Sequence, residues 1–530
     1  MTSFTHANAV KIFGAPGTGK TRELVRILQE HVAEGDFLLG EGIIVSFTRA
    51  AAHDIARRVN PDHEPGRFHC TLHALCKRYY GFDGEIADTK LKDFFGPLGI
   101  EWHRGRGGDP ELWASTEGDQ QTVGGQLIAF WTYCRNLMVS PSEGRKLCTL
   151  GPGIDSWTTA ALDNIWRKYL AWKEEQNLYD FTDMLEYTLQ NPPTEQFAFF
   201  VLDEAQDCTP LQWAVAHAFA QNAEVAYLAG DEDQCLYSWM AASPSHFLSA
   251  DTGRPDILHE NHRSGSAIVE MAQKFIRRNQ ERQDKAMTAT RVGGVVNSNV
   301  SWLPKLDVNE STFIMARAHY LNAGTMAELT RQEFPFVDKR GKYGVNGASA
   351  LAYQRFLRLH RNQPVTVAEW RALVQAVPSA GPWLTRGTKT RLLKLPADFQ
   401  RETLVRLDQL LVYGATEELV SAIRAGELKP LGYLDRARLG YFRGVERRHG
   451  LAYLDENKAA CVCTVGPVHA FKGLEADHVV LHSGMSPAAT REAMVDPEPE
   501  RRVFYVGMTR AKERLTILRG KAFAQFQEVL

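Results

Sequence analysis

The feature that most constrains the fold of this sequence is a short apolar segment that leads into a glycine-rich loop. Residues 10–13, Val-Lys-Ile-Phe, predict a buried strand, and residues 14–21 fit the pattern GxxxxGK(S/T). Leu24, Leu28 and Val32 recur at a spacing of four, which predicts a helix directly after the loop. Strand, glycine loop and helix in this order predict a phosphate-binding α/β domain.

The loop supplies the candidate phosphate-binding residues. Backbone N–H groups of such a loop and the positive N-terminus of its helix bind phosphate groups. The candidates are Gly14, Ala15, Pro16, Gly17, Thr18, Gly19, Lys20 and Thr21. We expect Lys20 to reach the β- and γ-phosphates of ATP and the Thr21 hydroxyl to hold Mg²⁺, so ATP and Mg²⁺ are the expected cofactors. A structural glycine turn is the alternative, and the flanking strand and helix count against it.

A second apolar run ends in two adjacent acids. Residues 197–202 predict a strand in the middle of a parallel sheet, and Asp203 and Glu204 follow it. We expect Asp203 to bind Mg²⁺ and Glu204 to orient or deprotonate the attacking water. Two acids after a strand are also common in solvated loops, but the phosphate loop upstream favours the catalytic interpretation.

Composition and charge bound the remaining possibilities. The 530 residues predict two to four domains, and a formal net charge of -2 means that a nucleic-acid site must be a local basic groove. Neither a secretory signal nor an apolar run of about 18 residues is present, so we expect a cytoplasmic protein without a membrane span. The eight cysteines include no CxxC pair. Cys461 and Cys463 are expected to alternate on a buried strand, which favours reduced core cysteines over a metal site.

Two further segments carry a family resemblance. Residues 203–207, Asp-Glu-Ala-Gln-Asp, resemble motif II of the superfamily 1 helicases of the UvrD, Rep and PcrA group. Residues 225–228 predict another strand, and residues 230–239 resemble motif III of the same group, a GDxxQ element that runs into Tyr-Ser-Trp. The resemblance implies that Gln234 senses the γ-phosphate and that Trp239 stacks on a DNA base. Residues 240–242, Met-Ala-Ala, depart from the Arg-Gly-Ala that the family usually has there.

The other motifs of the group follow in the expected order. Residues 46–52, 71–73, 261–264, 469–475 and 505–512 resemble motifs Ia, Ib, IV, V and VI. The resemblance implies DNA contacts at Phe47, Thr48, Thr71, His73, Tyr237, Trp239 and His469. It implies a γ-phosphate role for the arginine fingers Arg263 and Arg510, adenine stacking by His262 where the family has Tyr, and a ribose contact by Glu475. The family's Gln motif upstream of the phosphate loop is absent.

The resemblance implies an α/β fold of two RecA-like P-loop domains with parallel sheets, each interrupted by a mainly helical insertion. The expected bounds are 1–85 and 179–258 for domain 1A, 86–178 for insertion 1B, 259–334 and 457–530 for domain 2A, and 335–456 for insertion 2B. Insertion 1B contains a loop-like stretch, residues 104–110, and six of the eleven tryptophans, which are expected in a core rather than as stacking platforms.

Insertion 2B contains two basic clusters. The first is Arg386, Lys389, Arg391 and Lys394, and the second is Arg436, Arg438, Arg443, Arg447 and Arg448, interleaved with Tyr433, Tyr441 and Phe442. Contact with duplex phosphates and a solvated helix face over core aromatics are both open interpretations.

Together the motifs predict an ATP-dependent DNA helicase that moves 3′→5′ and acts in repair or replication. The polarity rests on the Tyr-Ser-Trp form of motif III, since the Pro-rich continuation of the 5′→3′ branch is absent. The resemblance implies that ATP lies between the two RecA-like domains. Single-stranded DNA and single-strand/duplex junctions are the expected partners, a nuclease, repair or replication protein is left open, and a monomer is expected with a dimer left open.

Three alternatives remain. The chain could be a translocase that displaces proteins without unwinding DNA. It could be an ATP-gated motor subunit of a repair, recombination or defence complex that needs a partner. The third is an ATPase indifferent to DNA, which would hydrolyse ATP at a rate unchanged by single-stranded DNA.

Overall fold

The computed structural model describes residues 4–62, 68–103, 122–148, 150–252, 256–341, 343–345, 347–432, 434, 436–519 and 524–530. The loop-like stretch 104–110 and Tyr433 lie outside the described residues. The chain divides into two compact units, of which the first takes in Met1–Val295 and Arg491–Thr509 and the second Val296–Thr490 and Arg510–Leu530. The four domain bounds expected from the sequence stay a prediction.

Strands are spread over both units. In chain order they are β1 (Ala9–Gly14), β2 (Ile43–Val45), β3 (His69–Cys70), β4 (Glu85–Ile86), β5 (Leu178–Tyr179), β6 (Phe197–Leu202), β7 (Ala223–Gly230), β8 (Asp256–Leu258), β9 (Glu260–Gly265), β10 (Thr288–Arg291), β11 (Val295–Val300), β12 (Thr312–Ala316), β13 (Val337–Asp338), β14 (Val365–Thr366), β15 (Leu404–Val405), β16 (Cys463–Pro467), β17 (Ala476–His482), β18 (Gly484–Met485), β19 (Ala511–Leu518) and β20 (Ala524–Gln525).

The α-helices lie between these strands, singly or in succession. They are α1 (Lys20–Glu34), α2 (Arg49–Val59), α3 (Leu72–Tyr80), α4 (Leu91–Phe95), α5 (Val123–Asn136), α6 (Pro141–Leu147), α7 (Thr159–Glu175), α8 (Phe181–Gln190), α9 (Pro210–Ala220), α10 (Pro244–Ser249), α11 (Ser266–Ile276), α12 (Ala323–Arg331), α13 (Gly347–His360), α14 (Val367–Ala376), α15 (Thr388–Leu393), α16 (Ala397–Glu402), α17 (Glu417–Ala425), α18 (Arg436–His449), α19 (Glu456–Val462), α20 (Pro487–Val495) and α21 (Glu498–Met508). Among the residues described, every helix is either too short or too polar to span a lipid bilayer.

The first unit is built on a six-stranded parallel sheet of order β3-β2-β6-β7-β1-β8. Its central strands are apolar on both faces because helices cover both. Phe199 and Val201 of β6 pack into one core, and Phe200 and Leu202 pack into a second core on the opposite face. Because the strands are parallel, their carboxyl ends share one edge, and the segments that follow them meet there.

The second unit contains another six-stranded sheet, of order β11-β19-β17-β12-β16-β13. The pairs β12–β16, β12–β17, β13–β16 and β17–β19 are parallel. The five residues of β12 are all buried. Two α/β units with parallel sheets confirm the predicted fold class.

The helical segment between β4 and β5 has its own core. Trp131 is almost fully buried there, beside Phe95 and Tyr169. Trp102, Trp157, Trp166 and Trp172 are partly buried against the same cluster. These tryptophans are core residues, as expected, while Trp113 lies outside the described residues.

The second basic cluster lies on α18. Tyr441 and Phe442 are buried in the core of the second unit, whereas Arg436, Arg443 and Arg447 are exposed. Arg447 also forms an ion pair with Glu333, 3.0 Å from its carboxylate. The aromatics therefore belong to the core, and contact of the arginines with duplex phosphates stays a prediction.

The expectation that Cys461 and Cys463 share a buried strand is wrong. Cys461 is exposed and lies in α19, whereas Cys463 is buried and begins β16. Asp455 caps this helix, since its side chain accepts hydrogen bonds from the N–H groups of Asn457 and Lys458. The helix begins at Glu456 and ends at Val462, and Cys461 lies exposed in its last turn.

Candidate nucleotide and DNA site

The phosphate loop lies between β1 and α1, at the carboxyl edge of the first sheet. Gly17 and Gly19 have φ angles of +78° and +88°, so the turn uses backbone conformations that side chains disfavour. The Thr18 hydroxyl donates to the Ala15 carbonyl at 2.8 Å, which holds the loop closed. Lys20 is buried, and its Nζ donates to the Gly14 carbonyl at 2.6 Å. The loop thus binds the Lys20 ammonium through the Gly14 carbonyl, and a bound phosphate would compete with that carbonyl for the ammonium.

The two acids follow β6 at the same edge. The N–H of Asp203 donates to the Val45 carbonyl at 2.9 Å, which extends the β2–β6 pairing by one residue. Glu204 has a φ of +57°, a conformation that costs free energy in a residue with a side chain. Gln206 donates from Nε2 to Oε2 of Glu204 at 2.6 Å. The carboxylate of Glu204 is therefore held in one orientation by its own turn and by Gln206.

Gln206 also joins motif II to motif III. Its Oε1 accepts a hydrogen bond of 2.9 Å from the N–H of Asp231, at the end of β7. Asp231 in turn accepts at Oδ2 from Nε2 of Gln234, at 2.8 Å. Glu204, Gln206, Asp231 and Gln234 form one hydrogen-bonded chain. Sequence reasoning assigned no role to Gln206, although its place between the acids of the Asp-Glu-Ala-Gln-Asp segment was a usable signal.

Motif IV packs against the phosphate loop within the first unit. Asn261 donates from Nδ2 to the Pro16 carbonyl at 2.5 Å, and the N–H of His262 donates to the Gly17 carbonyl at 2.9 Å. Arg263 donates from Nη1 to the Thr509 carbonyl at 3.1 Å, which connects motif IV to motif VI. The sequence places Asn261 in motif IV but indicates no role for it. The predicted roles of Arg263 and His262 toward the γ-phosphate and adenine stay predictions.

One pocket of the first unit gathers most of the predicted DNA-binding residues. Its lining includes Phe47, Thr48, Thr71, His73 and Tyr237, together with the acids Asp203 and Glu204. Thr48 and Thr71 also cap the helices α2 and α3, accepting from backbone N–H groups at 3.2 and 3.4 Å. The two threonines therefore place the amino ends of both helices at the pocket.

Trp239 lies beside this pocket. Its ring meets that of Tyr237 edge-on, with the centroids 5.4 Å apart. Met240 follows it and lines the pocket, where the family usually has an arginine. The Met240 carbonyl accepts a hydrogen bond of 3.0 Å from Nδ2 of Asn136, at the end of α5. The inserted helical segment thus holds the motif III loop through its backbone.

The second unit carries the predicted residues of motifs V and VI. His469 follows β16, where burial, helped by the charges of Arg317 and Arg340, lowers its pKa to about 4. Glu475 and Arg510 precede the parallel strands β17 and β19, and Glu475 binds Lys512 at 2.9 Å. His469 therefore lies at the carboxyl edge of this sheet, and Glu475 and Arg510 lie at its amino edge.

Comparisons with known proteins agree with these motifs. Residues 2–254 match the family model of the UvrD/REP helicase N-terminal domain, and residues 454–521 match that of the UvrD-like helicase C-terminal domain. The ATP-dependent DNA helicase UvrD2 of Mycobacterium bovis is 26% identical over 96% of this chain and 76% of its own length. The ATP-dependent DNA helicase PcrA of Bacillus subtilis is 24% identical over 59% of this chain and 43% of its own length. The chain therefore belongs to the UvrD-like helicase family and is an enzyme of that class.

Proposed function

We propose that this protein is an ATP-dependent DNA helicase that moves 3′→5′ along single-stranded DNA and unwinds duplex DNA. One observation carries the proposal: a single pocket is lined both by the acids Asp203 and Glu204 and by Phe47, His73 and Tyr237. Groups suited to hydrolysis and groups suited to base stacking therefore share the same walls. A change in the nucleotide that moves the acids would move the DNA-binding side chains as well.

The residues of the phosphate loop fit a nucleoside triphosphate and its metal. Lys20 exchanges its hydrogen bond to the Gly14 carbonyl for the β- and γ-phosphate oxygens. Thr21 and Asp203 supply the hydroxyl and carboxylate oxygens that Mg²⁺ prefers, and they are the residues that would hold it. When bound, the metal neutralises charge on the phosphates.

Glu204 is the residue that takes the proton of the attacking water. Its Oε2 accepts the hydrogen bond from Gln206, which orients the carboxylate that receives that proton. Gln234, anchored on Asp231, offers its amide to the γ-phosphate. The second unit carries two further residues for the same reaction: Arg510 as a charge that stabilises the transferred phosphoryl group, and Glu475 for the ribose.

Single-stranded DNA binds through aromatic faces, which accept every base and so suit a motor without sequence preference. Stacking of a base on such a face is worth about 1–3 kcal/mol. Phe47 and Trp239 are both partly exposed, and the ring of each packs against the ring of Tyr237. The 3′→5′ polarity rests on the Tyr-Ser-Trp form of motif III.

The test measures ATP hydrolysis with and without single-stranded DNA for the wild type and for Glu204→Gln. We expect strong stimulation by DNA in the wild type and its loss in Glu204→Gln. Glu224→Gln, an exposed acid at the start of β7, is the matched control and should keep the wild-type rate. A wild-type rate that ignores DNA would overturn the proposal.

A second assay separates unwinding from translocation. Duplexes with a 3′ or a 5′ single-stranded tail are incubated with the protein and ATP, and strand separation is followed. Separation of the 3′-tailed duplex alone supports the proposed polarity and activity. DNA-stimulated hydrolysis without separation of either duplex favours a translocase or a motor subunit that needs a partner.

A further inference from the structure

Three buried acids follow β7 in the first unit, and a buried lysine lies among them. Asp231, Glu232 and Asp233 are each inaccessible to solvent. The Nζ of Lys285 lies 2.9 Å from Oδ1 of Asp231 and 3.4 Å from Oδ2 of Asp233, and it donates to Glu232. Lys285 itself is only 2% exposed. The lysine lies between α11 and β10, so this cluster joins two segments that are distant in sequence.

The acids need this cation because three carboxylates in one buried place repel one another. Burial and the neighbouring acids raise the pKa of Glu232 to about 7, although Lys285 opposes the shift. Arg282 supplies a second positive charge, but it pairs with Asp233, at 2.9 Å, and not with Asp231. Oxygen atoms of the three acids are close enough together to hold a metal ion. The Lys285 ammonium already supplies positive charge at that position.

Asp231 connects this ion cluster to the residues proposed for hydrolysis. One carboxylate oxygen, Oδ1, binds Lys285, and the other, Oδ2, accepts from Gln234 at 2.8 Å. The N–H of Asp231 holds Gln206, which in turn holds Glu204. Lys285 is therefore separated from Gln234 by one carboxylate. Fixing Asp231 fixes both the amide proposed for the γ-phosphate and the orientation of the proposed base.

We propose that Lys285 is a positioning residue for ATP hydrolysis, which acts by holding Asp231 in place against Gln234 and Gln206. The inference rests on the proposed function and adds a residue to it. Lys285 reaches the residues proposed for hydrolysis through Asp231, which binds it at 2.9 Å and accepts from Gln234 at 2.8 Å. Without the lysine, the Asp231 carboxylate loses its charge partner and rotates. Gln234 then loses a fixed acceptor.

The first experiment compares Lys285→Met with Arg282→Met. Both variants remove one buried positive charge from the same cluster, but only Lys285→Met removes the partner of Asp231. We expect Lys285→Met to lower kcat for DNA-stimulated ATP hydrolysis about 10- to 100-fold, with KM for ATP within about 3-fold of the wild type. Arg282→Met should keep kcat within about 3-fold of the wild type, even if its melting temperature falls as far as that of Lys285→Met.

A second pair keeps the inference testable if Lys285→Met does not fold. Adding Glu232→Gln to each variant removes one buried negative charge and returns the cluster to its original net charge. The Lys285→Met/Glu232→Gln protein should still show the reduced kcat, whereas Arg282→Met/Glu232→Gln should not. Lys285→Arg, which retains the positive charge, should recover part of the lost rate.

The outcomes separate the inference from the proposed function. A wild type whose hydrolysis is stimulated by DNA, together with equal kcat values for the two charge-matched double variants, would overturn the role of Lys285 alone. A wild type without DNA-stimulated hydrolysis would overturn the proposed function and this inference with it. A loss shown by KM rather than kcat would also overturn the inference, because it would place Lys285 in nucleotide binding.

Discussion

The ring of Phe47 stacks on the ring of Tyr237, with their centroids 4.6 Å apart and their planes 14° apart. Phe47 follows β2 and Tyr237 follows the GDxxQ segment after β7, so the stack joins motif Ia to motif III. Tyr237 is only 5% exposed, whereas Phe47 is partly exposed. A base that enters the pocket would therefore meet Phe47 first, with Tyr237 as its support.

This stack leads to a prediction about DNA binding. Phe47→Ala should weaken binding of single-stranded DNA about 10- to 100-fold, because it removes both the exposed ring and the support of Tyr237. Fluorescence anisotropy with a labelled oligonucleotide measures the change. Tyr187→Ala, which removes an exposed aromatic ring from α8, is the control and should bind as the wild type does. Equal losses in the two variants would contradict the predicted role of Phe47.

We expect a substitution at Gly17 to cause a specific loss of nucleotide binding. A Cβ on Gly17 would lie 2.7 Å from Cβ of Arg263, and the φ of Gly17 is +78°. Gly17→Ala should therefore displace motif IV from the phosphate loop and abolish ATP binding in calorimetric titration. Gly35→Ala is a matched control, since Gly35 has a φ of +81° but no atom within 4 Å of its Cβ position. Both variants should lose about 1 kcal/mol of stability from backbone strain, but Gly35→Ala should bind ATP normally.

We expect removal of the Arg135 side chain to lower the free energy of unfolding substantially. This nearly buried residue at the end of α5 binds Asp180 with Nη1 at 2.8 Å, Asp183 at 2.7 Å and Glu186 at 2.6 Å. Arg135→Met leaves Glu186 without this partner and leaves Asp180 and Asp183 to Lys173 alone, so it should cost about 3 kcal/mol. Denaturant unfolding followed by tryptophan fluorescence measures it, since Trp166 lies 5.6 Å from the guanidinium.

The control for Arg135 is an exposed arginine in the same unit. Arg26 pairs with Glu23 and Glu30 on the surface of α1. Arg26→Met should cost no more than about 1 kcal/mol, because water solvates the charges that remain. A loss from Arg135→Met as small as that from Arg26→Met would show that the buried network does not hold the inserted helices.

We expect His482 to make the stability of the second unit depend on pH. Burial lowers the pKa of His482 to about 4, and its neutral ring pairs with the Thr325 hydroxyl at 2.9 Å. The unfolded chain therefore binds more protons than the folded chain between pH 4 and the usual histidine pKa of about 6.5. The folded state should lose up to about 3 kcal/mol from this group as the pH falls through that range.

Melting temperatures between pH 7 and pH 4 test this prediction. His482→Gln keeps a polar partner for Thr325 but does not titrate, so its melting temperature should fall less on acidification. His103→Gln, at an exposed site of the first unit, is the control and should follow the wild-type profile. A His482→Gln profile parallel to that of the wild type would contradict the assignment.

Local sequence patterns determined the strand ends and the loops that follow them. The strand expected at residues 10–13 lies within β1, the apolar run at residues 197–202 is β6, and the helix expected after the phosphate loop is α1. These predictions succeeded because an apolar run with a polar end depends on neighbours in sequence. The same reasoning failed at Cys461, because two cysteines over three residues do not distinguish the end of α19 from the start of β16.

The residue types and their order were sufficient to predict the fold class, the family and the candidate site residues. Which of those residues contact one another depended on how the chain folds. The contacts of Gln206 with Asp231, of Asn261 with the phosphate loop and of Lys285 with the buried acids all join segments brought together by the order of the strands. Strand order depends on packing across the whole sheet, and no local pattern in the sequence encodes it. The positioning residues of this site therefore became visible only in three dimensions.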